Sequence, residues 1–402
     1  MPKISSTQTL PLPVQYWIFI IARRFVVGLP CLYLHIASQG LSSFDIGCCL
    51  SVMAGAQLFC EVPSGIASDR LGRKKTLMVA ASARLVAWLL IGLSSSTVGF
   101  LFGFLFLGTA VAFESGTDSA FLFDTLRERN ESYRYGHLEA RSYQLGLFSM
   151  GCANLLGGFL MVFGFKIPIL ATIPPMLIYV GSTLLLKEPS FQRARSTTDF
   201  LSQLRTGLKQ IVANQSLCAS TAIAICIIAA CEIYFRFVQQ FMTGTIGISP
   251  TYLGPIYFFW LLVSVVASRI GQSSHLQSRP LFTILMCALT CGGSFIFLGT
   301  ASVGPIVLLV ATILPQSAYG IVPTVFRSEL NRELPSSVRA TVLSVFGLGT
   351  SSVVVVGGFL CGWIAATYST GAAFLGEGAA IIIVATIGLW ISLRRGDGER
   401  GG

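Results

Sequence analysis

The sequence predicts an all-α membrane protein with twelve transmembrane helices arranged as two pseudo-symmetric six-helix bundles. Three observations predict this fold: the composition, twelve long apolar runs and an internal repeat. Of the 402 residues, 53% are hydrophobic and only 11% are charged, whereas a soluble domain carries roughly 25% charged residues. A surface so poor in charge must face lipid rather than water.

A helix needs about 20 apolar residues to cross a bilayer, and twelve runs of the chain come close to or exceed this length. They lie near 14–37, 45–66, 76–95, 98–123, 138–163, 167–187, 216–243, 251–271, 281–300, 303–326, 338–366 and 371–393. We call them spans 1 to 12. Most are apolar on all sides, as expected of helices surrounded by lipid.

Three short motifs recur in one order about 200 residues further along the chain. They are GLSSFDIG at 40–47 with GISPTYLG at 247–254, Arg70-Leu71-Gly72 with Arg269-Ile270-Gly271, and GGFL at 157–160 with GGFL at 357–360. Three matches at one spacing indicate a duplicated six-helix unit. We therefore divide the chain into an N-terminal bundle (1–187), a cytoplasmic linker (188–214) and a C-terminal bundle (215–402).

The linker is polar and begins Lys187-Glu188-Pro189 at its junction with span 6. Within it, apolar residues recur at helical spacing at Phe200, Leu204, Leu208 and Ile211. This pattern predicts an amphipathic helix on the inner surface of the membrane.

The basic residues are distributed unevenly between the two sets of turns. The turns at 38–44, 243–250 and 366–370 hold no Lys or Arg, and Lys166 is the single basic residue on that side. The opposite turns hold most of the others. The positive-inside rule then predicts a multi-pass protein of the cell (inner) membrane with both termini in the cytoplasm. The net charge of +10 is thereby explained without a nucleic-acid partner.

The sequence holds no pattern typical of a metal site, a cofactor site or an enzyme. The eleven Cys lie almost all inside apolar runs and show no metal-binding spacing. His35, His137 and His275 are scattered, and neither an HExxH motif nor a Walker loop occurs. A transporter-like membrane sensor is the alternative from another class, and the lack of an appended soluble domain argues against it.

The stretch GIASDRLGRKK at 65–75 joins spans 2 and 3. Its pattern G-x-x-x-D-R-x-G-R-K resembles the signature loop of the major facilitator superfamily of secondary transporters. The matching positions are Gly65, Asp69, Arg70, Gly72, Arg73 and Lys74. The motif E-[IV]-P-[ST]-G, here Glu61 to Gly65, is similar to that of a largely uncharacterised bacterial branch. The resemblance implies a functional monomer in the lipid bilayer that moves a small-molecule substrate by alternating access without a cofactor, with the proton gradient as driving force.

Ionisable residues inside lipid are costly, so each is a candidate functional residue. The resemblance implies that spans 1, 4, 7 and 10 line the central cavity. The candidate substrate or proton-coupling residues on these spans are Arg23, Arg24, Glu114, Asp118, Glu232, Arg236, Gln316 and Tyr319. The six charged members sum to zero, which favours a polar, zwitterionic or charged solute over an apolar one.

One hypothesis is that Glu114 or Asp118 binds a proton whose release is coupled to the substrate, because burial raises the pKa of a carboxyl group and a nearby Arg lowers it. The alternative is that these acids neutralise Arg23 and Arg24 and hold helices together. Likewise, Glu232 and Arg236 can pair along one helix at i, i+4.

Proton-coupled export of a small metabolite or drug is the favoured direction, by frequency within the family, and proton-coupled or facilitated uptake is the alternative. Two departures from drug/proton antiporters weaken the assignment to drug efflux. Span 4 lacks their membrane-embedded Arg, and span 5 has Ala153-Asn154 where their motif has Gly-Pro.

Asp69 lies at the cytoplasmic rim, where it could cap the first turn of span 11 near Pro335-Ser336-Ser337. In the second copy of the loop, Ser268 stands in place of Asp69. We therefore predict an asymmetric gate, in which the N-terminal loop binds span 11 and the C-terminal loop binds its counterpart weakly or not at all.

Overall fold

A computed structural model describes residues 12–190, 200–300, 304–334 and 336–398, and the regular elements in these ranges are all helices. Twelve helical segments are long and apolar enough to cross a membrane. They are Leu12–Ser38, Ser43–Arg70, Arg73–Leu93, Thr97–Glu128, Ser132–Phe163, Lys166–Leu185, Gln215–Thr245, Pro250–Gly271, Pro280–Thr300, Pro305–Glu333, Thr341–Thr367 and Thr370–Leu393. The predicted all-α membrane fold with twelve spans is confirmed.

The observed spans agree with the predicted ones to within a few residues at most ends. Spans 4 and 10 are longer than predicted, because their helices continue through polar residues to Glu128 and Glu333. A helix satisfies its own backbone hydrogen bonds, so it does not have to end where the apolar run ends.

The linker contains the predicted helix, at Phe200–Ala213. Ile211 is buried and Leu208 is exposed. This helix packs on span 11, where a Cβ at Gly207 would lie 2.8 Å from the Thr341 methyl group. At its end, the Asn214 side chain accepts the Leu217 N–H at 3.2 Å and caps span 7. The bundle boundaries at 187 and 214 stay predictions.

Span 1, predicted as one continuous helix, is broken near its middle. It consists of helix Leu12–Arg24, the 3₁₀ turn Leu29–Cys31 and helix Leu32–Ser38. Just before the 3₁₀ turn, Gly28 donates its backbone N–H to the Thr172 hydroxyl at 2.9 Å. This bond from span 6 replaces the helical one that Gly28 lacks, and it places a break in the chain inside the membrane.

Span 4 is also broken, between helix Thr97–Glu114 and helix Thr117–Glu128. Gly116 at the break has a φ of +71°, a left-handed conformation that favours glycine. The prediction of an unbroken helix that carries both Glu114 and Asp118 is therefore wrong, since Asp118 belongs to the first turn of the second segment.

Two of the repeated motifs meet each other across the bundles. We call the face of the molecule where span 1 begins and span 12 ends the termini face, and the opposite one the far face. Near the far face, a Cβ at Gly47 would lie 2.5 Å from the Gly358 carbonyl oxygen, and a Cβ at Gly254 would lie 2.6 Å from the Gly158 Cα. Each copy of the first motif thus packs on the GGFL of the other copy, and only glycine permits this approach.

Hydrogen bonds between described residues join the first six spans to the last six in the far half. The Gln239 amide of span 7 accepts the Tyr33 N–H at 3.0 Å and donates to the Leu29 carbonyl at 2.9 Å. Ser43 donates to the Gln240 side chain at 3.3 Å, and Ser51 donates to the Val355 carbonyl at 2.7 Å. The bundles are therefore joined near the far face.

The helix face of span 2 that packs on span 11 becomes exposed towards the termini face. This face holds Gly47 and Ser51 in the far half and continues at helical spacing to Gly65 and Asp69 near the termini face. Gly65 is exposed, and the Asp69 side chain is 60% exposed. The two bundles consequently separate towards the termini face and leave a cleft that opens there.

We expect Gly47→Leu to lower the thermal unfolding midpoint of the protein in detergent. The new side chain has to displace the backbone of span 11, and such overpacking costs about 1–3 kcal/mol. Gly293→Leu is the matched control, because a Cβ at this exposed helical glycine meets no atom within 4 Å. An equal change of the midpoint in both variants would contradict the close packing of spans 2 and 11.

Candidate functional site

The loop between spans 2 and 3 is reduced to Leu71 and Gly72. Gly72 has a φ of +99°, and a Cβ there would lie 2.7 Å from the Glu188 carboxylate. That carboxylate accepts the N–H groups of Arg73 at 2.7 Å and Lys74 at 2.9 Å, and so caps span 3. Gly72 is thus required for its backbone conformation and for the room that it leaves to Glu188.

Arg73 connects the loop with span 4. Its Nε atom lies 3.3 Å from the Asp124 carboxylate, and its Nη1 atom lies 3.3 Å from Asp69. Gly65 and Arg70, which belong to the signature motif but lie in the last turns of span 2, are exposed. The proposed partner of Asp69 includes Pro335, which lies outside the described residues, so the contact between Asp69 and span 11 stays a prediction.

Glu114 lies at the centre of a buried ionic cluster in the N-terminal bundle. Arg84 of span 3 donates to both of its oxygens, at 2.8 and 2.6 Å, and the Tyr179 hydroxyl of span 6 donates to one at 2.9 Å. Arg23 lies 4.0 Å from Glu114 and 2.8 Å from Asp118. Two arginines and two acids therefore balance one another, and they connect spans 1, 3, 4 and 6.

A recess of about 200 Å³ borders this cluster between spans 1, 4 and 5. Three predicted site residues line it: Arg23, Arg24 and Asp118. Unlike Arg23, Arg24 is exposed, and in the described part of the chain no carboxylate lies within 4 Å of it. Its side chain packs on Gly146, where a Cβ would lie 3.2 Å from the Arg24 Cγ. The recess thus holds one paired and one unpaired guanidinium group.

The charges of span 7 form a second, separate group. Arg236 lies 3.8 Å from the Glu232 carboxylate and donates a hydrogen bond to the Glu232 carbonyl, so the predicted i, i+4 pair is present. The Tyr319 ring of span 10 packs edge-on to Phe235, with 5.6 Å between the ring centroids. Gln316, by contrast, is buried and accepts a bond from Ser264 of span 8 at 3.3 Å, away from the cleft.

Sequence reasoning missed several polar residues of the site. Arg84 was left outside it, although it is the closest partner of Glu114. Of the residues that line the recess, Tyr16, Ser119, Glu139, Ser142 and Tyr143 were missed. An acid inside a predicted span was the signal that could have identified Glu139. Glu139 lies only one residue inside the predicted start of span 5, however, where an acid is easily assigned to the preceding turn.

The family model of the Major Facilitator Superfamily matches residues 16–357 of the chain. The chain belongs to this superfamily. It is accordingly a membrane transporter of small solutes and not an enzyme, and the resemblance seen in the signature loop is confirmed. Among curated proteins, no sequence match is found.

Solved structures of transporters share the fold. The nucleoside transporter NupG superposes with a TM-score of 0.77 at 14% identity, over 95% of this chain and 99% of that chain. A D-xylose–proton symporter gives 0.66 at 15% identity over 94% and 96%. A POT family transporter in complex with 5-aminolevulinic acid gives 0.69 at 13% identity over 95% and 96%. The predicted two-bundle fold is thereby confirmed, while substrates do not transfer at such identity.

We expect Arg84→Met to destabilise the protein more than the double variant Arg84→Met/Glu114→Gln does. The single change removes the two Arg84 N–H groups that donate to the buried Glu114 carboxylate. Breaking a buried ion pair in this way costs about 3–5 kcal/mol. The double change removes that uncompensated charge and leaves Arg23 paired with Asp118. The comparison uses thermal unfolding in detergent. Additive losses in the double variant would show that Arg84 and Glu114 do not stabilise each other.

Proposed function

We propose that the protein is a secondary active transporter that carries a small polar or charged solute across the membrane by alternating access. The observation that carries this proposal is the polar recess among spans 1, 4 and 5, together with two bundles that are joined near the far face and separate towards the termini face. A solute bound there reaches one side of the membrane only. Rocking the two bundles about the recess would expose it to the other side.

The distribution of basic residues supports a cytoplasmic position of the termini face. On this assignment the structure is open to the cytoplasm, in a cell (inner) membrane, and one chain suffices as the functional unit. The solutes named for the similar structures are nucleosides, D-xylose and 5-aminolevulinic acid, all of them polar. This agrees with the charged lining of the recess.

For the coupling ion we propose a proton, bound at Asp118. Glu114 accepts hydrogen bonds from Arg84 and Tyr179 and has the Arg23 guanidinium at 4.0 Å, which favours a structural role. Asp118 has one charged partner, Arg23 at 2.8 Å, and lines the recess. Protonation of Asp118 would remove this ion pair and release the Arg23 guanidinium, so proton and solute can influence each other through one residue.

For the direction we propose export by exchange with protons. Symport of solute and proton is the second candidate, favoured by the D-xylose–proton symporter among the similar structures. Proteoliposomes with an imposed pH gradient and a panel of labelled nucleosides, pentoses and amino acids test both. In exchange, the solute accumulates on the acidic side, and in symport on the alkaline side. Counterflow without a gradient tests transport as such, and its absence for the whole panel would contradict the proposed function.

We expect Asp118→Asn to lower gradient-driven accumulation at least about tenfold, which corresponds to about 1.4 kcal/mol of lost coupling, while counterflow persists. The amide cannot take up a proton, so the solute is no longer coupled to the gradient. Glu114→Gln is the comparison, since it changes the neighbouring acid. An unchanged response to pH in both variants would exclude coupling through either residue.

Asp69→Asn should impair counterflow more than Ser268→Ala does, by roughly 2- to 5-fold, which corresponds to the roughly 0.3–1 kcal/mol expected of a carboxylate at a helix N-terminus. Closure of the termini face would bring Asp69 to span 11, whereas Ser268 lies against the Thr324 hydroxyl at 3.1 Å within its own bundle. Equal effects of the two changes on the counterflow rate would argue against a gate formed by Asp69.

A further inference from the structure

The recess carries an unpaired charge of opposite sign at each of its two ends. At one end lies Arg24, packed on Gly146 and without a carboxylate partner among the described residues. At the other lies Glu139, which accepts a hydrogen bond from the Ser119 hydroxyl at 3.1 Å. No basic side chain of the described ranges lies within 4 Å of the Glu139 carboxylate. Both charges border the same cavity and are available to a ligand.

Span 5 sets the distance between these two ends. Glu139 and Gly146 lie seven positions apart on one helix, which corresponds to about 10 Å along the axis at ~1.5 Å per residue. The Arg24 and Glu139 side chains and two hydrogen bonds take up part of this length. Several ångströms remain, enough for a short chain of atoms between two charged groups.

The middle of the recess is electrically balanced and polar. Arg23 and Asp118 pair there at 2.8 Å, and hydroxyl groups come from Tyr16 and Tyr143. The volume of about 200 Å³ is below the ≈ 300–1,000 Å³ typical of sites for drug-sized ligands. The site therefore suits a small molecule with hydrogen-bonding groups.

We propose that the recess binds a small zwitterion, with its anionic oxygen group on Arg24 and its ammonium group on Glu139. A solute with only a negative charge would leave Glu139 unpaired and would bring like charges together, and an amine alone would do the same at Arg24. This inference rests on the proposed function, since it names the substrate class of the same site. It makes Arg24 and Glu139 the residues that determine specificity.

The test measures binding of ω-amino acids to the purified full-length chain in detergent, by titration calorimetry. The probes run from β-alanine to 6-aminohexanoate, with pentanoate and pentylamine as matched probes that lack one of the two charges. We expect the tightest binding for one ω-amino acid of intermediate length, at least about tenfold tighter than either matched probe. Equal affinity for pentanoate, or no binding of any zwitterion, would overturn the proposal.

Variants assign the two charges to their residues. Arg24→Gln should weaken binding of the best zwitterion at least about tenfold without weakening binding of pentylamine, while Arg24→Lys should restore much of the loss. Glu139→Gln should weaken the zwitterion equally without weakening binding of pentanoate. Arg141→Gln is the control, because this guanidinium lies over the Trp17 ring at 4.9 Å and does not line the recess. The same loss in Arg141→Gln would refute the assignment.

Counterflow in proteoliposomes separates this proposal from the proposed function. Zwitterion binding that depends on Arg24 and Glu139 but supports no counterflow would leave the binding site in place and refute transport. Counterflow of a solute without opposite charges, unaffected by Arg24→Gln, would leave transport in place and refute the zwitterion site.

Discussion

The cost of an ion in lipid is the constraint on which the N-terminal bundle depends. A charge at the membrane centre is tolerated only when it is paired or faces water. Glu114 meets this condition through Arg84, Arg23 and Tyr179, each from a different span. The same ions therefore fix the arrangement of four helices, and that arrangement forms one wall of the recess. The bundle could not lose Arg84 and keep an ionised Glu114 without reorganisation.

The two halves compensate their buried charges differently, although the sequence indicates one repeated unit. The first half builds a cluster that joins several spans, whereas the second pairs Glu232 with Arg236 along a single helix. A pair within one helix adds little to the packing of helices against each other. The recess accordingly lies wholly among residues of the first half.

Much of the fold could be predicted from the sequence, because lipid imposes a simple rule on every span. Length and apolar character placed all twelve spans, and glycines of the repeated motifs make equivalent close contacts in the two halves. The site could be predicted only in part. Arg23, Arg24 and Asp118 stood out as ions in apolar runs, and the structure places all three at the recess.

The remaining features depend on which helix faces meet, and no local pattern contains that information. Arg84 becomes part of the cluster because span 3 turns it towards Glu114. The break in span 4 occurs at Gly116. The sequence around this glycine does not distinguish it from the other glycines of the spans, most of which lie within a continuous helix. Gln316 carries no formal charge, so its packing against Ser264 rather than the cleft could not be recognised from its residue type.

The break in span 1 has a mechanical consequence for the motion between the bundles. Within the break, Gly28 is bound to Thr172 of its own bundle. Beyond it, Leu29 and Tyr33 are bound to Gln239 of the other bundle, and His35 Nε2 lies 3.2 Å from the Ile91 carbonyl of its own. The segment beyond the break is thus held by both bundles, and the irregular stretch 25–28 forms a joint immediately after Arg24. Opening of the far face has to break the bonds of Gln239, or bend this joint and break the contact of His35. A change of angle at the joint turns Arg24 as well, so the chain carries movement from the far face directly to the residue at the end of the recess.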